Sequence, residues 1–294
     1  MIILGCCVRP KRIDTNNYMM EENEINYYPT IKQSWGIVGV SILSMILFGV
    51  VYVLLSRIVD EELSFLIYYL LSMGGVFWIA HLKRKKWTNV SVYSFGFSSG
   101  KIILLASVAV IAIQIGIISP IVSLVPMPEF MKNVFIELAK RNGVFSFITI
   151  VIAAPLLEEL IFRGIILDGF LKKYTPLTSI LISSALFAVV HLNPWQFISA
   201  LILGIFSGWV YYKTKNLTLS ILIHFVNNLA AFSSMYFLDA EVAMDMSLTE
   251  LYGGFLNLVM ITFGAIVVAV ICLYFLRLEI ITLKTNYAST QHNI

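Results

Sequence analysis

The chain has 294 residues, of which 13% are charged and 59% hydrophobic, and its mean hydropathy is +0.87. Soluble domains carry about 25% charged residues, so this composition excludes a soluble enzyme and predicts an all-α, polytopic membrane protein. The formal net charge is only +3. We expect membrane lipids as partners and no nucleic acid.

A helix needs about 20 mostly apolar residues to cross a bilayer, and the sequence offers about eight such stretches. The fifth and sixth are the shortest. Together they form one predicted membrane domain, residues 35–280. The predicted spans are 35–57, 64–81, 102–125, 144–171, 176–191, 196–212, 217–237 and 254–277.

Two polar tails are predicted to flank the membrane domain. Residues 1–34 have mixed charge after Val8 and no apolar run of signal-peptide length, which indicates a cytoplasmic tail. Residues 281–294 form the second predicted cytoplasmic tail. The three cysteines fit neither a disulfide framework nor a cysteine-rich metal site; they are Cys6, Cys7 and Cys272.

The distribution of basic residues predicts the orientation. With the N-terminus inside and eight spans, 15 of the 20 lysines and arginines fall on one side, which is expected for the cytoplasmic side. Both termini are therefore predicted to be cytoplasmic. On the opposite side, residues 128–141 place apolar and charged residues at helical spacing, which fits either an interfacial helix or a solvated loop.

Ionisable side chains deep in a bilayer cost several kcal/mol each and usually mark a function or a buried pair. Helical rise places Glu158 and His191 about 21–23 Å from the turn that joins their helices, so the two lie at one depth. Residues 224–228 reach a similar layer. The polar set is Glu158, Glu159, Arg163, His191, His224, Asn227 and Asn228.

Helical spacing suggests how this set divides. Glu159 and Arg163 are i,i+4 neighbours in the favourable order for an ion pair, whereas Glu158 is rotated by about 100° and is left for chemistry. His224 and Asn228 also share a helix face. An alternative is a polar network that only holds helices together. The small residues Ala200, Gly204 and Gly208 predict close helix packing.

Three motifs in this region resemble one known family. They are EExxxR at 158–163, FxxxH starting at Phe187, and HxxxN at 224–228. In this order, on separate helices, they are similar to the CPBP (CAAX protease and bacteriocin-processing, or Abi) family of intramembrane proteases. The resemblance covers roughly residues 145–235.

The resemblance implies about eight helices around a cavity, hydrolysis of peptide bonds within the membrane, and a role in peptide maturation or bacteriocin self-immunity. It implies that Glu158 and His191 activate water. It also implies that His224 and Asn228 stabilise the oxyanion. The residues implied to support the site are Glu159, Arg163 and Phe187.

The chemistry leaves alternatives open. A carboxylate can act as general base while imidazole and amide N–H groups stabilise the oxyanion. Glu158, His191 and His224 also match the His₂Glu ligand set of a zinc site. A transporter would use the same polar layer to bind an ion or peptide, and a non-catalytic immunity or regulatory scaffold would use it for structure. For a protease, the expected substrate is a membrane-associated or lipidated peptide.

Overall fold

The computed structural model describes residues 27–237 and 239–292, and every element in that part is helical. Most of the predicted N-terminal tail, including Cys6 and Cys7, and the last two residues lie outside it. The helices are α1 (Ile31–Leu55), α2 (Glu61–Thr88), α3 (Gly100–Val122), α4 (Glu129–Lys140), α5 (Val144–Phe170), α6 (Pro176–Val189), α7 (Pro194–Thr214), α8 (Leu217–Phe237), α9 (Ala240–Asp245), α10 (Leu248–Leu251) and α11 (Phe255–His292).

Seven helices of the described part are long and apolar enough to cross a membrane, which indicates a multi-pass membrane protein. The prediction of eight is wrong in its count. The predicted fifth span, 176–191, is α6, which has only 14 residues. At about 1.5 Å per residue it is roughly 21 Å long, shorter than the hydrocarbon core of a bilayer.

Local sequence fixes the ends of the short helix and its successor. Thr175 and Asn193 cap α6 and α7 with their side chains, and each is followed by a proline. Proline is favoured at the first helical position because it lacks the N–H that would be unpaired there. Between the helices, Leu192 has φ 57°, a left-handed conformation that helps to turn the chain.

Helices α6 and α7 form an antiparallel hairpin. A Cβ atom added to Gly204 would lie 2.9 Å from Ser184 Cβ, and one added to Gly208 would lie 3.4 Å from Ile180. The residue numbers run in opposite directions, so the helices are antiparallel. The predicted role of Gly204 and Gly208 in close packing is confirmed.

Two long helices are interrupted by π-helical turns that precede a proline. These are Gln114–Ile118 before Pro120, and Ile148–Ala153 before Pro155. A proline inside a helix removes one N–H and clashes with the carbonyl four residues earlier, so the preceding turn widens. A third π-helical segment, Phe162–Leu167, follows directly after Ile161 in α5.

For residues 128–141 the sequence allowed either an interfacial helix or a loop. The structure has a helix there, α4. This helix lies against the turn between α6 and α7, because Phe135 packs edge-on against Trp195 with ring centroids 6.3 Å apart. Trp195 Nε1 donates to the Val125 carbonyl at 3.1 Å. Trp195, at the start of α7, is therefore buried.

We predict that Gly204→Ala lowers stability by about 1–3 kcal/mol, because the added methyl group forces α6 and α7 apart. The measurement is the melting temperature of the purified protein in detergent. Gly264→Ala is the matched control, since an added Cβ there meets nothing within 4 Å. Equal melting temperatures for the two variants would contradict the close contact at Gly204.

Candidate functional site

The candidate site is built on α5, where three ionisable side chains lie inside the helix bundle. Glu158 is 9% exposed, Glu159 0% and Arg163 1%. Burying charges is costly unless they are paired and hydrogen-bonded. Their partners therefore decide whether the cluster is stable.

Glu159 and Arg163 form the predicted ion pair. Arg163 Nη1 lies 2.8 Å from Glu159 Oε1, although its geometry is that of an ion pair and not of an aligned hydrogen bond. The guanidinium also donates from Nη2 to the Gly204 carbonyl at 3.3 Å and stacks 4.6 Å above the Phe187 ring. Ser207 donates to Glu159 Oε2 at 3.2 Å. The pair thus joins α5 to α6 and α7.

His224 of α8 lies between the two glutamates. Its Nδ1 is 3.1 Å from Glu159 Oε1, and its Nε2 is 3.8 Å from Glu158 Oε2. Two carboxylates with one guanidinium, Arg163, leave one negative charge uncompensated. His224 is the polar partner that both carboxylates share.

Glu158 has a second partner that the motifs did not reveal. The Tyr69 hydroxyl of α2 donates to Glu158 Oε1 at 2.6 Å, and Tyr69 is 8% exposed. This bond fixes one carboxylate oxygen and leaves Oε2 towards His224. Tyrosine is frequent in membrane helices, particularly near their ends, so the sequence carried no signal for this contact.

His191 lies in the turn after α6, and its observed contacts are with Phe187. Nδ1 is 2.9 Å from the Phe187 carbonyl, and the two rings pack edge-on at 5.1 Å. Because a carbonyl only accepts, Nδ1 carries the proton, which leaves Nε2 as an acceptor in the neutral ring. Within the described residues no hydrogen bond or ion pair joins His191 to Glu158. Phe187 also contacts the His224 ring at 5.7 Å, so it separates the two imidazoles.

Asn228 reaches the same region from α8. Its Nδ2 donates to the Ile150 carbonyl at 2.9 Å, and that carbonyl belongs to the π-helical turn of α5. The amide of the neighbouring Asn227 donates to Asn228 Oδ1 at 3.3 Å. Asn227 Oδ1 is buried without a hydrogen-bond partner.

The zinc alternative finds no support in the geometry. Among the described residues, no group of three His, Cys, Asp or Glu side chains is arranged to hold a metal ion. His191 donates from Nδ1 to a carbonyl, which leaves Nε2 as an acceptor. The zinc alternative for Glu158, His191 and His224 therefore stays a prediction.

Comparison with known proteins bears on this segment of the chain. Residues 140–230 match the family model described as type II CAAX prenyl endopeptidase Rce1-like. This segment is Rce1-like. It contains all three motifs, and the resemblance to the CPBP family is confirmed.

Two curated relatives resemble parts of the chain. UPF0177 protein YxdF of Lactococcus lactis is 39% identical over 89 residues, which cover 30% of this chain and 49% of that protein. An uncharacterized 24.3 kDa protein of Escherichia coli is 29% identical over 127 residues, covering 41% and 58% respectively. The chain thus spans about half the length of these relatives. No solved structure matches the chain.

We predict different stability effects for the two glutamates of the Rce1-like segment. Glu159→Ala leaves the buried Arg163 without its carboxylate partner. Removing one member of a buried ion pair lowers the free energy of unfolding by about 3–5 kcal/mol. Glu158→Gln is nearly isosteric and keeps an acceptor for Tyr69, so it should melt close to the unmodified protein.

Detergent melting curves of both variants test this assignment. Replacing Glu159 and Arg163 together by leucine should recover part of the lost stability, because neither charge is then unpaired. Early melting of Glu158→Gln beside a stable Glu159→Ala would show that the two roles are reversed.

Proposed function

We propose that the protein is an intramembrane endopeptidase that hydrolyses peptide bonds of membrane-associated peptides. The observation that carries this proposal is the setting of Glu158, whose carboxylate is held by Tyr69 on one oxygen and faces His224 with the other. A fixed carboxylate beside an imidazole is a suitable general base for hydrolysis. The Rce1-like segment supports the same reaction class.

In the proposed reaction, Glu158 takes a proton from a water molecule, and the resulting hydroxide attacks the carbonyl carbon of the peptide. The developing oxyanion is stabilised by N–H groups of His224 and Asn228. The C–N bond then breaks, and the proton held by Glu158 passes to the leaving nitrogen. His191, with Nε2 as an acceptor, helps to orient the water.

Asn228 must change its partner for this step. In the structure its amide donates to the Ile150 carbonyl, so it can reach an oxyanion only by giving up that bond. Substrate binding between α5 and α8 would supply the new acceptor.

The position of the site restricts the substrate. The proposed catalytic groups are largely enclosed by membrane helices, with Glu158 and His224 at 9% and 4% exposure. A folded soluble protein cannot reach such a site without unfolding. We therefore propose a membrane-associated or lipidated peptide as the substrate.

We also propose that both chain ends lie on the cytoplasmic side. Lys172 and Lys215 both pair with Asp168, at 2.9 and 3.7 Å, which supports a common side for the ends of α5 and α7. The α6–α7 hairpin then enters and leaves on that side. The six further long helices cross the membrane an even number of times, so the chain returns to its starting side.

We predict that Glu158→Gln abolishes cleavage while the protein remains folded, because an amide cannot accept the proton from water. The measurement compares new peptide N-termini in membranes of cells that express the natural chain or the Glu158→Gln variant. Identical sets of N-termini in these two kinds of cell would instead favour the non-catalytic scaffold.

Asn228→Ala should lower the rate of cleavage about 10²–10³-fold, because one donor to the oxyanion is lost.

A second prediction concerns Tyr69. Tyr69→Phe removes the hydrogen bond to Glu158 and should lower kcat more than it raises KM, since the bond positions the base and does not bind substrate. Tyr68→Phe is the matched control, because Tyr68 packs against Tyr52 and Phe65. Equal kinetic effects of the two variants would exclude a positioning role for Tyr69.

A further inference from the structure

A second polar site lies about 15 Å along α5 from Glu158, at the far end of the helix. It is a pocket of about 330 Å³ between α2, α5, α7 and the segment that follows α2. This volume falls in the range of small-molecule sites. The residues of its lining that matter here are Arg84, Tyr93, Gly164, Asp168, Lys172 and Tyr211.

Positive charge exceeds negative charge around this pocket. Arg84, Lys172 and Lys215 all lie within ion-pair distance of one carboxylate, that of Asp168, at 3.7, 2.9 and 3.7 Å. The Tyr211 hydroxyl donates to the same carboxylate at 3.3 Å. Among the residues that line the pocket, two cations, Arg84 and Lys172, face one carboxylate, Asp168, which leaves a formal excess of one positive charge.

Arg84 is held rigidly in the wall of the pocket and is only 4% exposed. It donates to the Val92 carbonyl at 3.1 Å and stacks 4.6 Å above the Tyr93 ring. Tyr93 in turn lies so close to α5 that a Cβ on Gly164 would be 2.9 Å from its ring. The cationic wall is therefore formed before any ligand binds, which lowers the entropic cost of binding.

The pocket opens among side chains typical of a membrane surface. Trp87, Val92, Phe95 and Phe97 beside it are 55, 75, 56 and 108% exposed. Exposed aromatic side chains next to basic residues are characteristic of the level of lipid headgroups. Basic pockets between membrane helices at this level bind anionic headgroups.

We propose that this pocket binds the phosphate group of an anionic phospholipid. Arg84 and Lys172 supply charge-assisted hydrogen bonds to phosphate oxygens, with Tyr211 as a further donor. Asp168 competes with the phosphate for the same cations. Binding therefore depends on the cations and is opposed by this carboxylate. The proposal rests on the membrane location and is independent of the proposed protease activity.

Native mass spectrometry of the purified full-length protein, titrated with phosphatidylglycerol or phosphatidylcholine, tests the proposal. Phosphatidylglycerol should bind at least about tenfold more tightly, because both lipids carry a phosphate but the basic residues repel the choline cation of phosphatidylcholine. Lys172→Glu should remove this preference. Lys213→Glu is the matched control, because Lys213 lies on the same end of α7, stacks on Tyr212 and does not line the pocket. Equal losses in both variants would show general electrostatic attraction and overturn the proposal.

A second variant is expected to bind lipid more tightly, an effect that misfolding would not produce. Asp168→Asn removes the competing carboxylate and should strengthen phosphatidylglycerol binding several-fold. It should also melt earlier in neutral detergent and recover when phosphatidylglycerol is added. Unchanged or weaker lipid binding by this variant would overturn the proposal. A last titration uses inorganic phosphate in place of lipid. If inorganic phosphate binds as tightly as phosphatidylglycerol, the pocket is a site for free phosphate and the lipid proposal is wrong.

Discussion

The buried ion pair between Glu159 and Arg163 is the interaction on which the surrounding structure depends. Two charges so far from water are stable only when their remaining hydrogen-bonding capacity is used. Ser207 and the Gly204 carbonyl supply this from α7, and His224 supplies it from α8. Gly204 then cannot carry a side chain, because α6 has to approach within contact of the same turn. One pair of charges thus determines which helices must meet and how closely.

The same pair gives the two adjacent glutamates of one motif different surroundings. Since Glu159 has three partners of its own, Glu158 is free to have a different environment, with one phenol and one more distant imidazole. The imidazole of His224 contacts both carboxylates and couples the structural glutamate to the proposed base. A change at the Glu159–Arg163 pair would consequently reach Glu158 through the His224 ring.

Most of the helices and the Glu159–Arg163 pair could be predicted from the sequence. Hydrophobic length identifies a span, and i,i+4 spacing identified the Glu159–Arg163 pair, because both depend on local geometry. The count of eight failed since an apolar stretch of α6's length can lie inside a protein without crossing a bilayer. Tyr69 could not be found, because its contact with Glu158 joins residues 89 apart in the chain. The convergence of Arg84, Lys172 and Lys215 on Asp168 is likewise a product of packing.

Because of the π-helical turn Ile148–Ala153, the number of residues in α5 decides which way the Ile150 carbonyl faces. A π turn contains one more residue than the α turn it replaces, so deletion of a single residue there would restore regular α-helical pairing. Every residue before the deletion would rotate by about 100° relative to Glu158, and the Ile150 carbonyl would no longer face Asn228. Chains with identical motifs but one residue fewer in this turn would therefore hold their asparagine differently. Alignments of such sequences should treat a gap at 148–153 as a change to the site.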